Sequence, residues 1–233
     1  LARRDDKVVA ISADTIDLFG LRGFLEASPH RLIEAGIAEQ SAMGMASGLA
    51  TTGMRPILCG YAPFITTRSL EQLRNDVAYA NQRVVIGAAC GGIVLAMAGG
   101  THHAVEDLAI MRNMPNMTVI VPADARQTWH AALATEQLDG PSYIRLGGKF
   151  AEPPVTEIAA DFQIGKAEQM RPGGDITVIA CGCMVPPAIA AADALTGEGI
   201  GVRILNMHTI KPLDREAVLA AAADTGAIVT AEE

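Results

Sequence analysis

The sequence predicts an α/β protein: a doubly wound, mainly parallel sheet followed by a smaller α/β domain. Short β-branched runs alternate with longer, Ala-rich amphipathic runs, the order typical of a parallel sheet with helices on both faces. The chain has 233 residues and is 50% hydrophobic, which is enough to bury a good core. Loop-like Gly and Pro clusters between residues 147 and 174 separate two such alternating patterns.

The first pattern predicts a domain over residues 1–150. Apolar, β-branched runs predict strands at 7–12, 55–61, 83–89, 117–121 and 143–146. Helical periodicity predicts helices at 41–52, 69–81, 105–114 and 123–137, with Leu70, Leu73 and Val77 on one face of the second. Gly53 and Pro115 stand where the first and third of these helices should end.

The second pattern predicts a smaller domain over residues 165–233. Strands are expected at 176–180, 202–206 and 227–230, and helices at 186–195 and 214–224. The chain begins without an initiator Met and stops just after a strand-like run. We therefore expect the natural chain to extend further, so that this second domain is truncated here.

Composition argues against several classes of function. The formal net charge is -8 and no basic block occurs, which argues against nucleic acid as a partner. The four cysteines form no C-x-x-C pair, so neither structural zinc nor a disulfide scaffold is expected. No signal peptide and no apolar run of about 18 residues stands out. We expect a cytoplasmic protein with no membrane partner.

The segment IEAGIAEQ, residues 33–40, is the most informative part of the chain. It places Glu39 at the entrance of a helix of Ala, Gly and Met residues. A carboxyl group in such apolar surroundings can serve as an acid/base partner, because desolvation disfavours its charge. Spacing alone also allows an ordinary carboxylate at a helix N-terminus, where the helix dipole favours it.

This segment closely resembles the signature of the pyrimidine-binding domain in transketolases, deoxyxylulose phosphate synthases and 2-oxo-acid dehydrogenase β-subunits. The resemblance implies that Glu39 hydrogen-bonds the aminopyrimidine of thiamine diphosphate. That contact favours the imino tautomer, which removes the thiazolium C2 proton and lets the coenzyme carry the carbanion chemistry. Glu34 is either a neighbouring helper or structural.

A second motif is YAPF, residues 61–64, followed by Arg68. It resembles the family segment that holds the pyrimidine, and an aromatic face there would stack on the ring. The resemblance implies that Phe64 binds the cofactor, with Tyr61 and Arg68 as flanking contacts. The spacing from this Phe to the Arg differs by one residue between branches of the family. Without its context, Phe64 would instead be interpreted as a core aromatic.

A third motif is GGTHH, residues 99–103, which resembles the family's G-x-T-H-Q turn before a helix. It implies that His102 is catalytic, facing the substrate carbonyl and assisting proton transfer. His103 stands where the family usually has Gln and is assigned a secondary role. Adjacent histidines could also suggest a metal, but no third ligand has helix spacing, so we expect none in this chain.

The glycine-rich G-D-G…N motif, which binds Mg²⁺ and diphosphate in this family, has no counterpart in the sequence. The resemblance therefore implies a partner chain, an N-terminal transketolase-like subunit that holds the diphosphate and Mg²⁺, in an α2β2 heterotetramer. The run GDITVIACGCMV, residues 174–185, resembles the family's third domain, which would be mainly an assembly element.

Three positions depart from the pattern by which transketolases recognise sugar phosphates. Cys90 replaces a histidine, Ala98 replaces an acidic residue, and the phosphate-contacting arginine falls near Gly148, with Arg145 close by. A phosphate group normally requires Arg, Lys, His or helix N–H donors. The departures favour a substrate without the usual phosphate, or one whose anion the partner chain reads.

Three functions remain open from the sequence. The leading interpretation is a split transketolase, a transferase of carbohydrate metabolism that moves a two-carbon ketol unit from a ketose to an aldose. The second is a 2-oxo-acid dehydrogenase β-subunit, which would decarboxylate its substrate and acylate lipoamide. The third is a non-catalytic assembly homologue, which the retention of Glu39, Phe64 and His102 argues against.

Overall fold

The computed structural model describes residues 1–147, 152–157 and 161–233. The chain forms two compact units. The first comprises Leu1–Val119 and Thr135–Lys149, and the second comprises Ile120–Ala134 and Phe150–Glu233. This division differs from the predicted domains in placing Ile120–Ala134 with the C-terminal residues.

Parallel strands form the centre of the first unit, as the apolar runs predict. The strands are β1 (Val8–Ser12), β2 (Leu32–Glu34), β3 (Arg55–Tyr61), β4 (Val85–Ala89), β5 (Thr118–Ile120) and β6 (Ser142–Arg145). Their order is β5-β6-β4-β3-β1-β2. The pairs β1–β2, β1–β3, β3–β4 and β4–β6 are all parallel. All five residues of β1 are buried, which explains its apolar run without polar alternation.

Four α-helices accompany this sheet, and α2 packs most of the small side chains against it. They are α1 (Arg22–Ala27), α2 (Glu39–Thr51), α3 (Leu70–Gln72) and α4 (Asp107–Asn113). Helix α2 buries Ala42, Met43 and Ala46, which are close enough in helical spacing to share one face. It is followed by Gly53, whose φ of 85° suits glycine.

The chain between β3 and β4 is helical but wider than an α-helix in two places. π-Helical turns span Phe64–Arg68 and Leu73–Tyr79, on either side of α3. The N–H of Ser69 donates to the carbonyl of Phe64 at 3.3 Å, the five-residue step of a π-turn. The hydroxyls of Thr66 and Ser69 donate to carbonyls four residues earlier, at 2.7 and 2.6 Å. The helical prediction for residues 69–81 is thus correct, although the geometry is not purely α.

Strand order places the predicted site residues at one edge of the first unit. Strand β1 lies between β2 and β3, so the connections diverge on either side of it. Ligands of open parallel sheets bind where strand order reverses, outside the carboxyl ends of the strands. Glu39, Phe64 and Cys90 follow the carboxyl ends of β2, β3 and β4, respectively.

The second unit is built on a smaller, mixed sheet. Its elements are α5 (Ala125–Ala134), β7 (Glu168–Arg171), β8 (Ile176–Ala180), α6 (Val185–Thr196), β9 (Val202–Asn206), β10 (Thr209–Lys211), α7 (Arg215–Asp224) and β11 (Ala227–Ala231). The order is β11-β8-β9-β7, in which only the β7–β9 pair is antiparallel. Val185 and Ile189 of α6 pack with Ile204 in its core. No helix among the described residues has the length and hydrophobicity to cross a membrane.

A buried histidine lies in the second unit. The His208 ring stacks on Phe162, with ring centroids 4.3 Å apart, and its Nδ1 lies 3.0 Å from the Thr209 hydroxyl. Burial lowers the pKa of His208 from 6.5 to about 4, while the nearby Asp214 carboxylate acts in the opposite direction. The imidazole is therefore neutral in the folded protein at pH 7.

This histidine should make the protein sensitive to acid. Because its folded pKa lies below its unfolded value of 6.5, the unfolded chain binds the proton more readily as pH falls. We expect a loss of about 3 kcal/mol in unfolding free energy between pH 6.5 and 4 from this group alone. Urea unfolding of His208→Gln should show a correspondingly shallower pH dependence than the original protein. Parallel pH profiles for the two proteins would contradict this assignment.

Candidate active site

Glu39 is the first residue of α2, yet its side chain is only 4% exposed. The Arg68 Nη1 donates to the Glu39 Oε2 at 2.6 Å. Burial of a carboxylate is costly unless a partner compensates its charge, and Arg68 supplies that partner. Glu39 thus lies at a helix start and is buried as well, and its role as an acid/base partner stays a prediction.

Arg68 also contacts the predicted pyrimidine-binding aromatic residue. Its Cζ lies 4.3 Å from the centroid of the Phe64 ring, a cation–π contact. The π-turn that begins at Phe64 and ends at Arg68 brings both side chains to the same side of the chain. Arg68 therefore connects the buried carboxylate to the aromatic face.

Three rings form one cluster beside this ion pair. The Phe64 and His102 centroids lie 5.2 Å apart, Tyr61 and Phe64 5.9 Å, and Tyr61 and His102 6.2 Å, all edge to face. Burial raises the pKa of the Tyr61 hydroxyl, with a smaller contribution from Cys90, so the phenol stays neutral. The sequence missed Phe19, whose ring lies 5.2 Å from Tyr61; nothing in its local sequence signals that contact.

Glu34 organises the loop that leads into Glu39. Its Oε1 accepts the backbone N–H of Asp14 at 2.7 Å and that of Gly36 at 2.9 Å. Both donors have positive φ, 60° for Asp14 and 69° for Gly36, so these bonds hold two tight turns. This geometry favours the structural role of Glu34 over that of a catalytic helper.

His102 and His103 have different surroundings. The Thr101 hydroxyl lies 3.0 Å from the His102 Nδ1 and can fix the orientation of the ring. The Nε2 atom of His103 is buried and makes no hydrogen bond within the described part of the chain. The structure thus places His102, rather than His103, against the aromatic cluster.

The three departures from the phosphate-reading pattern fall in different settings. Cys90 is buried and has a φ of 61°, unusual for a residue other than glycine. Ala98 closes an exposed 3-10 turn, Ala96–Ala98. Gly148 lies outside the described residues, and the nearby Arg145 is buried against Asp107. None of these observations adds an exposed cation to the cluster.

The assembled groups suit a flat, nitrogen-containing heterocycle. Phe64 and Tyr61 offer apolar ring faces, and Glu39 offers a buried carboxylate that can hold a proton at a ring nitrogen. These are the groups that an aminopyrimidine requires, so the residues fit that part of thiamine diphosphate. Within the described ranges, no three His, Cys, Asp or Glu side chains gather as a metal site requires.

A concave region lies within the second unit. It has a volume of about 450 Å³, and its lining includes Gln127, Glu168 and His208. Burial, with the Asp124 and Glu157 carboxylates, raises the pKa of Glu168. No residue predicted to act in catalysis or cofactor binding is among those that line it.

Comparison with known families gives two matches. The model of the transketolase pyrimidine binding domain matches residues 1–149, and that of the transketolase C-terminal domain matches residues 165–233. A 6-deoxy-6-sulfo-D-fructose transketolase subunit of Clostridium sp. (strain MSTE9) is 42% identical over 99% of this chain and 71% of its own length. An apulose-4-phosphate transketolase subunit of Phocaeicola vulgatus is 40% identical over 100% of this chain and 75% of its own length.

The solved structures agree with the sequence comparison. A protein described as a split gene transketolase, inactive beta4 tetramer, superposes with a TM-score of 0.91 at 39% identity. The match covers 100% of this chain and 75% of that one. The chain therefore belongs to the transketolase family, of which it carries the pyrimidine-binding and C-terminal domains.

Proposed function

We propose that this chain is a subunit of a thiamine diphosphate-dependent transketolase, active only with a partner subunit. The reaction is transfer of a two-carbon ketol unit from a ketose to an aldose. The observation that carries the proposal is the buried Glu39, paired with Arg68 beside the Phe64 and His102 rings. The transketolase subunits at 42% and 40% identity support it, whereas the comparisons do not favour a 2-oxo-acid dehydrogenase or an assembly homologue.

We assign cofactor binding to Glu39, Tyr61, Phe64 and Arg68. The two aromatic rings would contact the pyrimidine, and Glu39 would hold a proton at its ring nitrogen. Arg68 keeps the carboxylate oriented through its 2.6 Å bond. When bound, thiamine diphosphate would supply a nucleophilic carbon and a thiazolium ring that accepts the electron pair of the carbanion on the transferred unit.

Burial strengthens the proton-holding role of Glu39. A hydrogen bond to a group in a low-dielectric site is electrostatically stronger than the same bond in water. Glu39 is 4% exposed, so few water molecules compete for its oxygens. The carboxyl group can therefore bias which nitrogen of the pyrimidine carries the proton.

His102 is the proposed acid/base group for substrate oxygens. Its ring contacts Phe64, so it lies at the same cluster as the cofactor-binding side chains. Thr101 fixes one ring nitrogen and leaves the other to exchange a proton with the substrate. His102 and Glu39 thus act on different protons, one on the substrate and one on the coenzyme.

A partner subunit would complete the site. We propose that an N-terminal transketolase-like subunit holds the diphosphate and Mg²⁺, and that the two chains form a cytoplasmic α2β2 tetramer. Apolar side chains near the site motifs are exposed, with Ile37 at 73%, Met97 at 78% and Val105 at 65%. Exposed apolar groups mark protein interfaces when they cluster.

We further propose residues 1–150 as the pyrimidine-binding domain and 165–233 as the C-terminal domain.

The reconstituted pair provides the test of function. The purified chain and its partner would be mixed with thiamine diphosphate and Mg²⁺ and supplied with a panel of ketoses and aldoses. A parallel assay would supply 2-oxo acids and lipoamide. We expect new sugar products in the first assay only. Acyl-lipoamide formation, or no product in either assay, would refute the proposal.

Removing the acid at position 39 should abolish most activity. Glu39→Gln keeps the shape of the side chain but replaces the carboxyl group by an amide, which cannot exchange a proton in the same way. We expect kcat to fall about 1,000-fold, because both proton placement and electrostatic stabilisation are lost. The exposed Glu26→Gln is the matched control and should retain full turnover. Unchanged turnover in the Glu39 variant would remove the central assignment.

Phe64 should matter for coenzyme affinity. In Phe64→Leu the ring face is lost while an apolar side chain remains. We expect the Kd of the pair for thiamine diphosphate to rise about 10-fold, measured by calorimetry. Tyr79→Leu serves as control, because Tyr79 is an exposed aromatic residue of the same helical segment. Equal affinities in the two variants would argue that Phe64 has only a packing role.

His102 should affect turnover rather than coenzyme binding. His102→Asn retains hydrogen bonding but cannot carry a proton near neutral pH. We expect kcat to fall about 100-fold with an unchanged Kd for thiamine diphosphate. His30→Asn, at an exposed histidine, is the control. A weakened coenzyme affinity without loss of kcat would contradict this role.

A further inference from the structure

We propose that a buried cluster of Asp107, Arg145 and Tyr143 holds the loop that carries His102. We further propose that Arg145, because it is bound within this cluster, does not bind a phosphate or sulfonate group of the substrate. The inference rests on the proposed function and adds a positioning device to it. It also answers whether Arg145 replaces the arginine that the family pattern expects near Gly148.

Asp107 is the centre of the cluster. Its Oδ2 accepts the Tyr143 hydroxyl at 2.7 Å and the Arg145 Nε at 3.0 Å, and its Oδ1 accepts the Arg145 Nη2 at 3.2 Å. Side-chain exposure is 1% for Asp107 and 6% for Arg145. Burial and the Asp107 charge raise the pKa of Tyr143 well above its usual value, so the hydroxyl stays a donor.

Arg145 also contacts the base of the loop over residues 93–103, called here the histidine loop. Gly92 and Ala104 pair across that base, each N–H donating to the carbonyl of the other at 2.9 Å. The Arg145 Nη2 also donates to the Ala104 carbonyl at 3.2 Å. The guanidinium lies so close to Gly91 that a Cβ there would collide with it. Arg145 therefore contacts both strands of the loop base.

The position of His102 depends on this base. Ala104 follows His102 by two residues, and Asp107 begins α4 three residues later. A shift of the Gly92–Ala104 pair would move the imidazole relative to Phe64, whose ring centroid lies 5.2 Å away. Misplacement of a catalytic group by about 1 Å can lower the rate about 100-fold. Arg145 and Asp107 are positioning residues in this sense.

The cluster also explains why Arg145 cannot read an anion. A guanidinium binds phosphate through charge and a fork of N–H donors. Here that fork already serves Asp107 and Ala104, and the Asp107 carboxylate neutralises the charge. An anionic substrate group would have to compete with a buried carboxylate at contact distance. Recognition of any such group therefore falls to other residues.

Kinetics with matched substrates provide the first test. In the reconstituted pair, Arg145→Met should lower kcat about 100-fold on phosphorylated and unphosphorylated sugars alike. The ratio of their KM values and the Kd for thiamine diphosphate should not change. Arg74→Met, at an exposed arginine, is the control. A rise in KM confined to phosphorylated or sulfonated sugars would overturn the proposal.

A double variant guards against simple misfolding. Removal of one partner leaves a buried charge uncompensated, whereas removal of both does not. Asp107→Asn combined with Arg145→Met should therefore recover part of the stability lost by Arg145→Met, while kcat stays low. Full recovery of kcat in the double variant would show that the pair does not position His102.

Hydrogen exchange of the isolated subunit provides a readout that needs no turnover. We expect the amides of Gly92 and Ala104 to exchange about 10-fold faster in Arg145→Met, and the Glu34-bound amides of Asp14 and Gly36 to be unaffected. Unchanged exchange at Gly92 and Ala104 would contradict the proposal that Arg145 stabilises the base of the histidine loop. If the unsubstituted chain and its partner subunit transfer no ketol unit, the proposed function fails. The exchange measurement would still show whether Arg145 holds the base of the histidine loop.

Discussion

The ion pair between Glu39 and Arg68 is the interaction on which the arrangement of the site depends. A carboxylate that is 4% exposed at the start of an apolar helix requires a partner, since desolvation alone would make it costly. Arg68 meets that requirement at 2.6 Å and lies over the Phe64 ring as well. One guanidinium thus determines both the orientation of the acid and its distance from the aromatic cluster. The histidine loop contributes the His102 ring to this cluster.

Two ion pairs hold this site, one partly exposed and one buried. Glu39 and Arg68 lie within the cluster, where Arg68 remains 44% exposed. Asp107 and Arg145 lie beneath the loop and are almost fully buried. In the first pair only the Arg68 side is open to solvent or to a ligand. The second is enclosed by backbone and Tyr143, so it serves as a fixed support.

Much of the fold could be predicted from the sequence because its central strands are short runs rich in apolar and β-branched residues. Strands β3, β8 and β9 begin and end at the predicted residues. The predictions failed for α1, which buries no residue, and for β7, whose exposure alternates along a polar sequence. Both lack a periodic apolar signal. Strand β10 has only three residues, too few for a pattern.

The site was partly predictable for a different reason. Glu39, Phe64 and His102 lie in local motifs, so their proposed roles could be assigned from neighbouring residues. Phe19 and Asp107 act through contacts that span 42 and 38 residues of chain, to Tyr61 and Arg145, and no local pattern announces them. The role of Arg145 was open until the structure showed that its N–H groups donate to Asp107 and Ala104. Long-range hydrogen bonds were the missing information.

The π-turn over Phe64–Arg68 has a consequence for how this family can diverge. Side chains three or four residues apart lie on the same side of an α-helix, and four residues still make less than one full turn of the wider π-helix. An arginine can therefore reach the same aromatic ring with three or with four residues of separation. On this geometry, a change of one residue in the length of this turn would alter the local width of the helix and leave the cation over the same ring.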